Sequence, residues 1–229
     1  MKLVIGNKNY SSWSLRPWLL MQHAGIAFEE IKVRLFAPGF EEAIAQHSPT
    51  GKVPVLVDGD ITVWDTLSIA EYLAESFPEK QLWPADRAQR AYARSICAEM
   101  HSSFGNLRSQ LPMNVTAVLP GRGWNVAVQR DVSRIATIWS ELRARHAADG
   151  PFLFGTFTIA DAYFAPVVSR FATYGIHVPD AAKQYADFIL ALPAMQAWIA
   201  DAREERDFLA SDEPYRLTPD RADAIVINH

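Results

Sequence analysis

The apolar pattern of this chain changes character around Pro78 and Pro84. Before these prolines, apolar runs of strand length alternate with segments of helical periodicity in the order β-α-β-α-β-β-α. After them, every apolar segment has helical periodicity, which predicts long helices near residues 87–111, 126–147, 158–173, 182–191 and 194–204. The chain is therefore predicted to divide into an α/β domain over 1–77, a linker over 78–86, an all-helical domain over 87–210 and an extended tail over 211–229.

Turn and capping residues predict where the first elements begin and end. The first helix is predicted from Ser14, which can cap its N-terminus, to Ala24, and Gly25 supplies the stop. The third helix is predicted from Thr66 to about Ser76. The strands after the first helix are predicted over residues 28–35, 53–57 and 61–64.

Composition argues against several classes of function. With 22 Lys and Arg against 26 Asp and Glu, the formal net charge is −4, so no basic surface for nucleic acid is expected. No apolar run reaches the length of a membrane span, and the opening segment is too short for a signal peptide, so a cytoplasmic location is expected. The single cysteine, Cys97, excludes a Cys-x-x-Cys redox motif, and the 6 histidines lack ligand spacing, so no metal site is predicted.

Three serines lie in the loop between the first predicted strand and the first predicted helix: Ser11, Ser12 and Ser14. Hydroxyls at this position can cap the helix, which accounts for them without any ligand. In α/β sheets, however, ligands bind at the carboxyl ends of strands, beside helix N-termini that attract anions. A hydroxyl directed at a bound thiolate is therefore the functional alternative.

Two further segments of interest lie at the boundaries of predicted elements. The Val53-Pro54 step after Lys52 is either a turn before a strand or a cis proline that presents the Val53 backbone to a peptide-like ligand. Asp65 and Thr66 open the third predicted helix, where they cap it or help to hold a carboxylate ligand.

In this order and on this frame, the three segments resemble the cytosolic glutathione transferase family. That family has a serine or tyrosine after the first strand, a cis proline in a Val-Pro step, and an acidic-hydroxyl pair opening the third helix. The box Thr158-Ile159-Ala160-Asp161 is also similar to the N-capping motif of the core helix in the family's C-terminal domain. The resemblance covers roughly residues 1–210 and implies a thioredoxin-like N-terminal domain followed by an all-α domain.

The resemblance also implies how glutathione, the expected co-substrate, would be bound. Ser11 would donate a hydrogen bond to the thiolate, with Ser12 as the alternative donor. The peptide would be held by Lys52 at its glycyl carboxylate, by Val53 and Pro54 at its cysteinyl part, and by Asp65 and Thr66 at its γ-glutamyl end.

The electrophile is expected between the two domains. Its candidate walls are Trp13, Met100, Phe104 and Arg108, of which the last three are spaced at i, i+4 and i+8 on one predicted helix face. For Met100 and Phe104, ordinary packing between the domains remains the other interpretation.

The paired serines are most similar to the serine-type classes, including the zeta class, whose members isomerise maleylacetoacetate. Zeta enzymes carry a cysteine after the paired serines, whereas this chain has Trp13. The resemblance thus implies a bacterial serine-type transferase that activates glutathione for attack on a small hydrophobic electrophile. A glutathione-dependent isomerase and a non-catalytic glutathione-binding or regulatory protein stay open as alternatives. The resemblance further implies a homodimer, and isologous dimers are the commonest assembly.

Overall fold

A computed structural model describes residues 1–216 of the chain. Its first part is built on a four-stranded sheet in the order β2-β1-β3-β4, in which β1 pairs with β2 in parallel and the other neighbours are antiparallel. The strands are β1 (Lys2–Ile5), β2 (Glu29–Lys32), β3 (Val55–Asp58) and β4 (Ile61–Val63). The helices between and after them are α1 (Ser12–Ala24), α2 (Phe40–Ala45) and α3 (Thr66–Ser76). This is the thioredoxin-like order predicted from the sequence.

Alternate residues of β1 enter two different cores. Leu3 and Ile5 belong to the large core that includes α1, α3 and the later helices, whereas Val4 packs with Phe40 and Ile44 of α2. Since successive side chains of a strand point to opposite faces, the sheet is covered by helices on both sides. The loop that follows the carboxyl end of β1 therefore leaves the sheet between its two helix-covered faces.

The first helix begins two residues earlier than predicted. Ser11, not Ser14, is its N-cap, and the Ser11 hydroxyl oxygen accepts a hydrogen bond from the Ser14 backbone N–H at 3.3 Å. The Ser14 hydroxyl is used elsewhere, because it accepts from the Gly6 backbone N–H at 3.1 Å. The strands are also shorter than predicted; β3 begins after Pro54, which has no N–H to donate to the ladder.

The second part of the described chain is helical. Its elements are α4 (Arg87–Ser102), α5 (Gly105–Gln110), α6 (Val126–His146), α7 (Ile159–Tyr174), α8 (Asp180–Ala191) and α9 (Pro193–Glu204). The prediction of one helix over 87–111 is wrong, because α4 ends at Ser102 and Ser103 is extended. Phe104, with a left-handed φ of 59°, is the N-cap of α5. Burial of the Phe104 ring in the large core accompanies this turn of the backbone.

Helix α7 is the central helix of this part, and it packs against α1, α4 and α8. Its predicted capping box is confirmed, with the Asp161 carboxylate accepting from the Thr158 backbone N–H at 2.8 Å. The same carboxylate accepts from the Leu153 N–H at 3.0 Å, the Thr158 hydroxyl at 3.1 Å and the Tyr185 hydroxyl at 3.2 Å. Asp161 therefore joins the start of α7 to the preceding loop and to α8.

The segment after α9 folds back onto the first part of the chain. Residues Ala210–Asp212 form a 3-10 turn and Glu213 is buried, so residues 211–216 do not form the predicted extended tail. The remainder of that predicted tail, 217–229, lies outside the described residues. Within residues 1–216, no helix has both the length and the apolar character needed to cross a bilayer.

Candidate active site

The loop after β1 is fixed by residues that lie about 200 positions later in the chain. The Glu205 carboxylate accepts from the backbone N–H groups of Lys8 at 2.9 Å and Asn9 at 3.1 Å. Asn7 donates to the Asp207 carboxylate at 2.7 Å, and the Lys8 carbonyl accepts from the Trp198 indole at 2.9 Å. The backbone that leads to the paired serines is thus held by the end of α9 and the segment after it.

Tyr10, next to the serines, already has a strong acceptor. Its hydroxyl donates to Glu213 at 2.8 Å, and Glu213 is itself paired with Arg216. Burial raises the pKa of Tyr10 well above its ordinary value, and the Glu213 carboxylate raises it further. The Tyr10 proton is therefore held within the protein and is not free for a ligand.

The two serines proposed as thiolate donors differ in their hydrogen bonds. The buried Ser11 hydroxyl donates to the Ser14 hydroxyl at 2.7 Å while it accepts the capping bond from the Ser14 N–H. Ser12 is the first residue of α1 and is partly exposed, and its hydroxyl has no hydrogen-bond partner among residues 1–216. Ser12 is thus the member of the pair whose proton is available to a ligand.

A cavity of about 900 Å³ opens beside these serines, between the sheet and the helical part. A second cavity of about 500 Å³ shares four of its lining residues, namely Trp13, Lys52, Val53 and Arg108. The two cavities are therefore adjacent compartments of one site. The smaller compartment is also lined by Pro54, Asp65, Thr66 and His101.

The start of α3 forms one end of the smaller compartment. Asp65 caps this helix by accepting from the Leu67 N–H at 3.2 Å, and its second oxygen lies 3.3 Å from His101 Nε2. Thr66 is only 1% exposed, and its hydroxyl lies 3.0 Å from the Tyr163 hydroxyl of α7. Both residues predicted at the γ-glutamyl end therefore contact side chains of the helical part.

The Val53–Pro54 peptide bond is cis. Lys52 is exposed and lines both compartments, and no carboxylate lies within 4.0 Å of its ammonium in the described part of the chain. This face of the site therefore combines the backbone of Val53 with an unpaired positive charge.

Comparison with known proteins decides the family. Residues 10–76 match the model of the glutathione S-transferase N-terminal domain, and residues 125–201 match that of the C-terminal domain. The chain belongs to the glutathione transferase family. Among its relatives, glutathione S-transferase Z1 of Arabidopsis thaliana is 29% identical over 206 residues, covering 82% of this chain and 89% of that protein.

Two further comparisons bear on the site. A probable maleylacetoacetate isomerase of Vibrio cholerae is 31% identical over 115 residues, which cover 47% of this chain and 53% of that protein. The crystal structure of a glutathione transferase homolog from Burkholderia gl BGR1 with bound glutathione is 26% identical, has a TM-score of 0.68, and covers 89% of this chain and 98% of its own. This transferase is thus similar to zeta-class and bacterial members of the family.

Of the residues predicted around the electrophile, Trp13 and Arg108 line the cavities of the transferase, and the Arg108 guanidinium lies 4.7 Å from the centre of the Trp13 ring. Met100 and Phe104 are 1% and 6% exposed and pack in the large core. The structure therefore gives these two the packing role that the sequence left open. The single helix face expected to join them to Arg108 does not exist, because α4 and α5 are separate helices.

Sequence reasoning missed three residues of the site. His101 and Tyr163 contact Asp65 and Thr66, and Arg170 of α7 lines the larger cavity. Arg170 had a visible signal, because it is the single basic residue of the largely apolar α7. Within the described residues, no group of three or more His, Cys, Asp or Glu side chains is placed to hold a metal ion.

Proposed function

We propose that this glutathione transferase activates its co-substrate through the Ser12 hydroxyl, with the electrophile bound in the larger cavity. The observation that carries the proposal is the unengaged Ser12 hydroxyl at the N-terminus of α1, on the wall of that cavity. The proposal moves the role from Ser11 to Ser12, because the Ser11 proton is committed to Ser14.

The energies are sufficient for thiolate formation without a general base. A thiol starts near a pKa of about 8.5, and lowering it by about two units requires about 2.7 kcal/mol. A hydroxyl donor to an anion supplies about 1.5–3 kcal/mol, and the helix N-terminus adds about 0.3–1 kcal/mol. In the same proposal, Asp65 and Thr66 bind the γ-glutamyl end, Val53 and Pro54 the cysteinyl part, and Lys52 the glycyl carboxylate.

A pH titration of thiolate absorbance in the binary glutathione complex tests this assignment. Ser12→Ala should raise the pKa of the bound thiol by about one to two units, because the thiolate loses about 1.4–2.7 kcal/mol of stabilisation. Glutathione affinity should change little, since the peptide contacts remain. Ser11→Ala is the matched control and should mainly lower stability, by about 1 kcal/mol, through loss of the helix cap.

The opposite pattern, a raised pKa in Ser11→Ala alone, would return the role to Ser11. An unchanged pKa in both variants would show that neither hydroxyl activates the thiol.

A second candidate reaction is the isomerisation of a carboxylated substrate, and the arginines of the larger cavity favour it. Arg108 and Arg170 line this cavity, and neither has a carboxylate within 4.0 Å among the described residues. One relative is named as a probable maleylacetoacetate isomerase. Product analysis separates the reactions, because an isomerase regenerates glutathione whereas a conjugating enzyme consumes it.

We also propose that the transferase is a cytoplasmic homodimer. Dimers are typical of the family, and the apolar side chain of Ile61 is about half exposed on the outer strand β4. Sedimentation at micromolar concentrations should therefore give about twice the chain mass of 25.6 kDa. A mass equal to one chain across that range would contradict the dimer.

A further inference from the structure

Arg16 is a buried arginine one helical turn after Ser12 in α1. It follows Ser12 by four residues in α1, so the two side chains lie on the same helix face. Arg16 is only 3% exposed. Its guanidinium lies 4.2 Å from the centre of the Trp13 ring, which forms part of the wall of both cavities.

The guanidinium lacks the hydrogen bonds that such burial normally requires. Arg16 Nε and Nη1 are fully buried and have no acceptor among residues 1–216. The centre of the Tyr163 ring lies 4.7 Å from the guanidinium. The Trp13 and Tyr163 rings attract the positive charge, but they compensate only in part for the missing hydrogen-bond acceptors. Arg170, which is equally buried, donates to the carbonyls of Leu111 at 2.8 Å and Pro166 at 3.2 Å.

The acidic groups near Arg16 do not neutralise it. Burial raises the pKa of Cys97 and of Tyr163 well above their ordinary values, so both are uncharged at neutral pH. Asp65 acts on Arg16 electrostatically but forms no ion pair with it, and its carboxylate is engaged by Leu67 and His101. Burial lowers the pKa of Arg16 to about 10, which still leaves it charged at neutral pH.

Two other arginines add to the positive field. Arg108 and Arg170 both act on Arg16 electrostatically, and both also line the larger cavity. Two guanidinium groups therefore lie against the Trp13 ring, and a third lines the same cavity, which has room for an anion. A buried cation without a counter-charge is costly, and a bound anion relieves that cost.

We propose that the thiolate of bound glutathione is the counter-charge of Arg16, which acts through its electric field without touching the sulfur. This rests on the proposed function, because it assumes that glutathione ionises beside Ser12. Arg16 then stabilises the thiolate electrostatically, in addition to the hydrogen bond from Ser12. The two contributions are separable, because one depends on a hydroxyl and the other on a net charge.

The test compares the thiolate titration in variants that remove or keep this charge. Arg16→Met should raise the pKa of bound glutathione by about one unit, which is a tenfold loss of thiolate at pH values below that pKa. Arg16→Gln, a neutral variant with a planar polar head, should give the same shift if the methionine variant does not fold. Arg16→Lys should stay close to wild type, because it keeps the positive charge.

Two controls separate the field from a structural role. Arg94→Met removes a positive charge from a surface pair with Glu71 and should leave the thiol pKa unchanged. S-methylglutathione cannot ionise at sulfur, so its affinity should be the same for wild type and Arg16→Met. Equal shifts in Arg16→Lys and Arg16→Met would overturn the proposal, because they would show that the guanidinium matters for shape.

A wild-type pKa in folded Arg16→Met or Arg16→Gln would also overturn it, while leaving Ser12 as the activating group. If the wild-type protein binds glutathione but forms no thiolate, the result contradicts the proposed function itself and not only the role of Arg16. The two failures are therefore distinguishable in one set of titrations.

Discussion

Asp161→Ala should lower the free energy of unfolding by about 3–5 kcal/mol, the range typical of removing one partner from a buried charged network. The fully buried carboxylate accepts hydrogen bonds from Leu153, from Tyr185 and from both the backbone and the hydroxyl of Thr158. Alanine leaves all of these donors without a partner inside the protein. Urea denaturation followed by circular dichroism measures the loss.

Asp86→Ala is the matched control for this change. Asp86 also caps a helix, but it is exposed and makes one capping bond, to the Gln89 N–H at 2.8 Å. Its loss should cost about 1 kcal/mol. A difference of less than about 1 kcal/mol between the two variants would show that burial of the Asp161 network contributes little.

The same carboxylate makes a pH-dependent contribution to stability. Burial raises the pKa of Asp161 to about 6, above the ordinary aspartate value of about 3.9. The folded chain therefore binds more protons than the unfolded chain between about pH 4 and pH 6, and this part of the stability falls as pH rises through that window. Asp161→Asn cannot ionise, so its stability relative to wild type should rise over the same window.

Glu205→Ala should lower kcat/KM about tenfold or more and the free energy of unfolding by about 2–4 kcal/mol. The side chain of Glu205 is 4% exposed, and it accepts from the backbone N–H groups of Lys8 and Asn9. Each buried donor left without a partner costs about 1–3 kcal/mol. Displacement of the loop by even about 1 Å would also move Ser12 away from the proposed position of the thiol, and such shifts are costly for catalysis.

Hydrogen exchange provides the direct measurement for this second change. The amides of Lys8 and Asn9 should lose protection in Glu205→Ala, whereas those of β3 should keep most of theirs. Glu204→Ala is the control, because this neighbouring glutamate is exposed. Full protection of both amides in Glu205→Ala would show that the loop holds its conformation without the carboxylate.

The parts of this protein that the sequence predicts well depend on local chemistry. The third helix begins at Thr66 and ends at Ser76 as predicted, because Asp65 caps it and its apolar stripe faces the core. The Asp161 box is equally local, since its capping partner Thr158 is three residues away. Neighbouring residues are enough to specify such features.

The parts that the sequence misses depend on distant partners. Three serines could cap the first helix, and the choice of Ser11 follows from the use of Ser14 by the Gly6 backbone. The break before α5 is hidden by a helical spacing that continues through Phe104. Thr66 and Tyr163, which are in contact, lie 97 positions apart in the sequence, and no local pattern predicts their contact.

The attachment of the β1–α1 loop to the end of the chain has a consequence during synthesis. Residues near the N-terminus leave the ribosome first, and domains generally fold in that order. The Lys8 and Asn9 amides can form their bonds to Glu205 only after nearly the whole described chain has emerged. The α/β part can collapse early, but the β1–α1 loop reaches its final geometry only late in translation. A nascent chain stalled before residue 205 would therefore lack the hydrogen bonds that hold this loop.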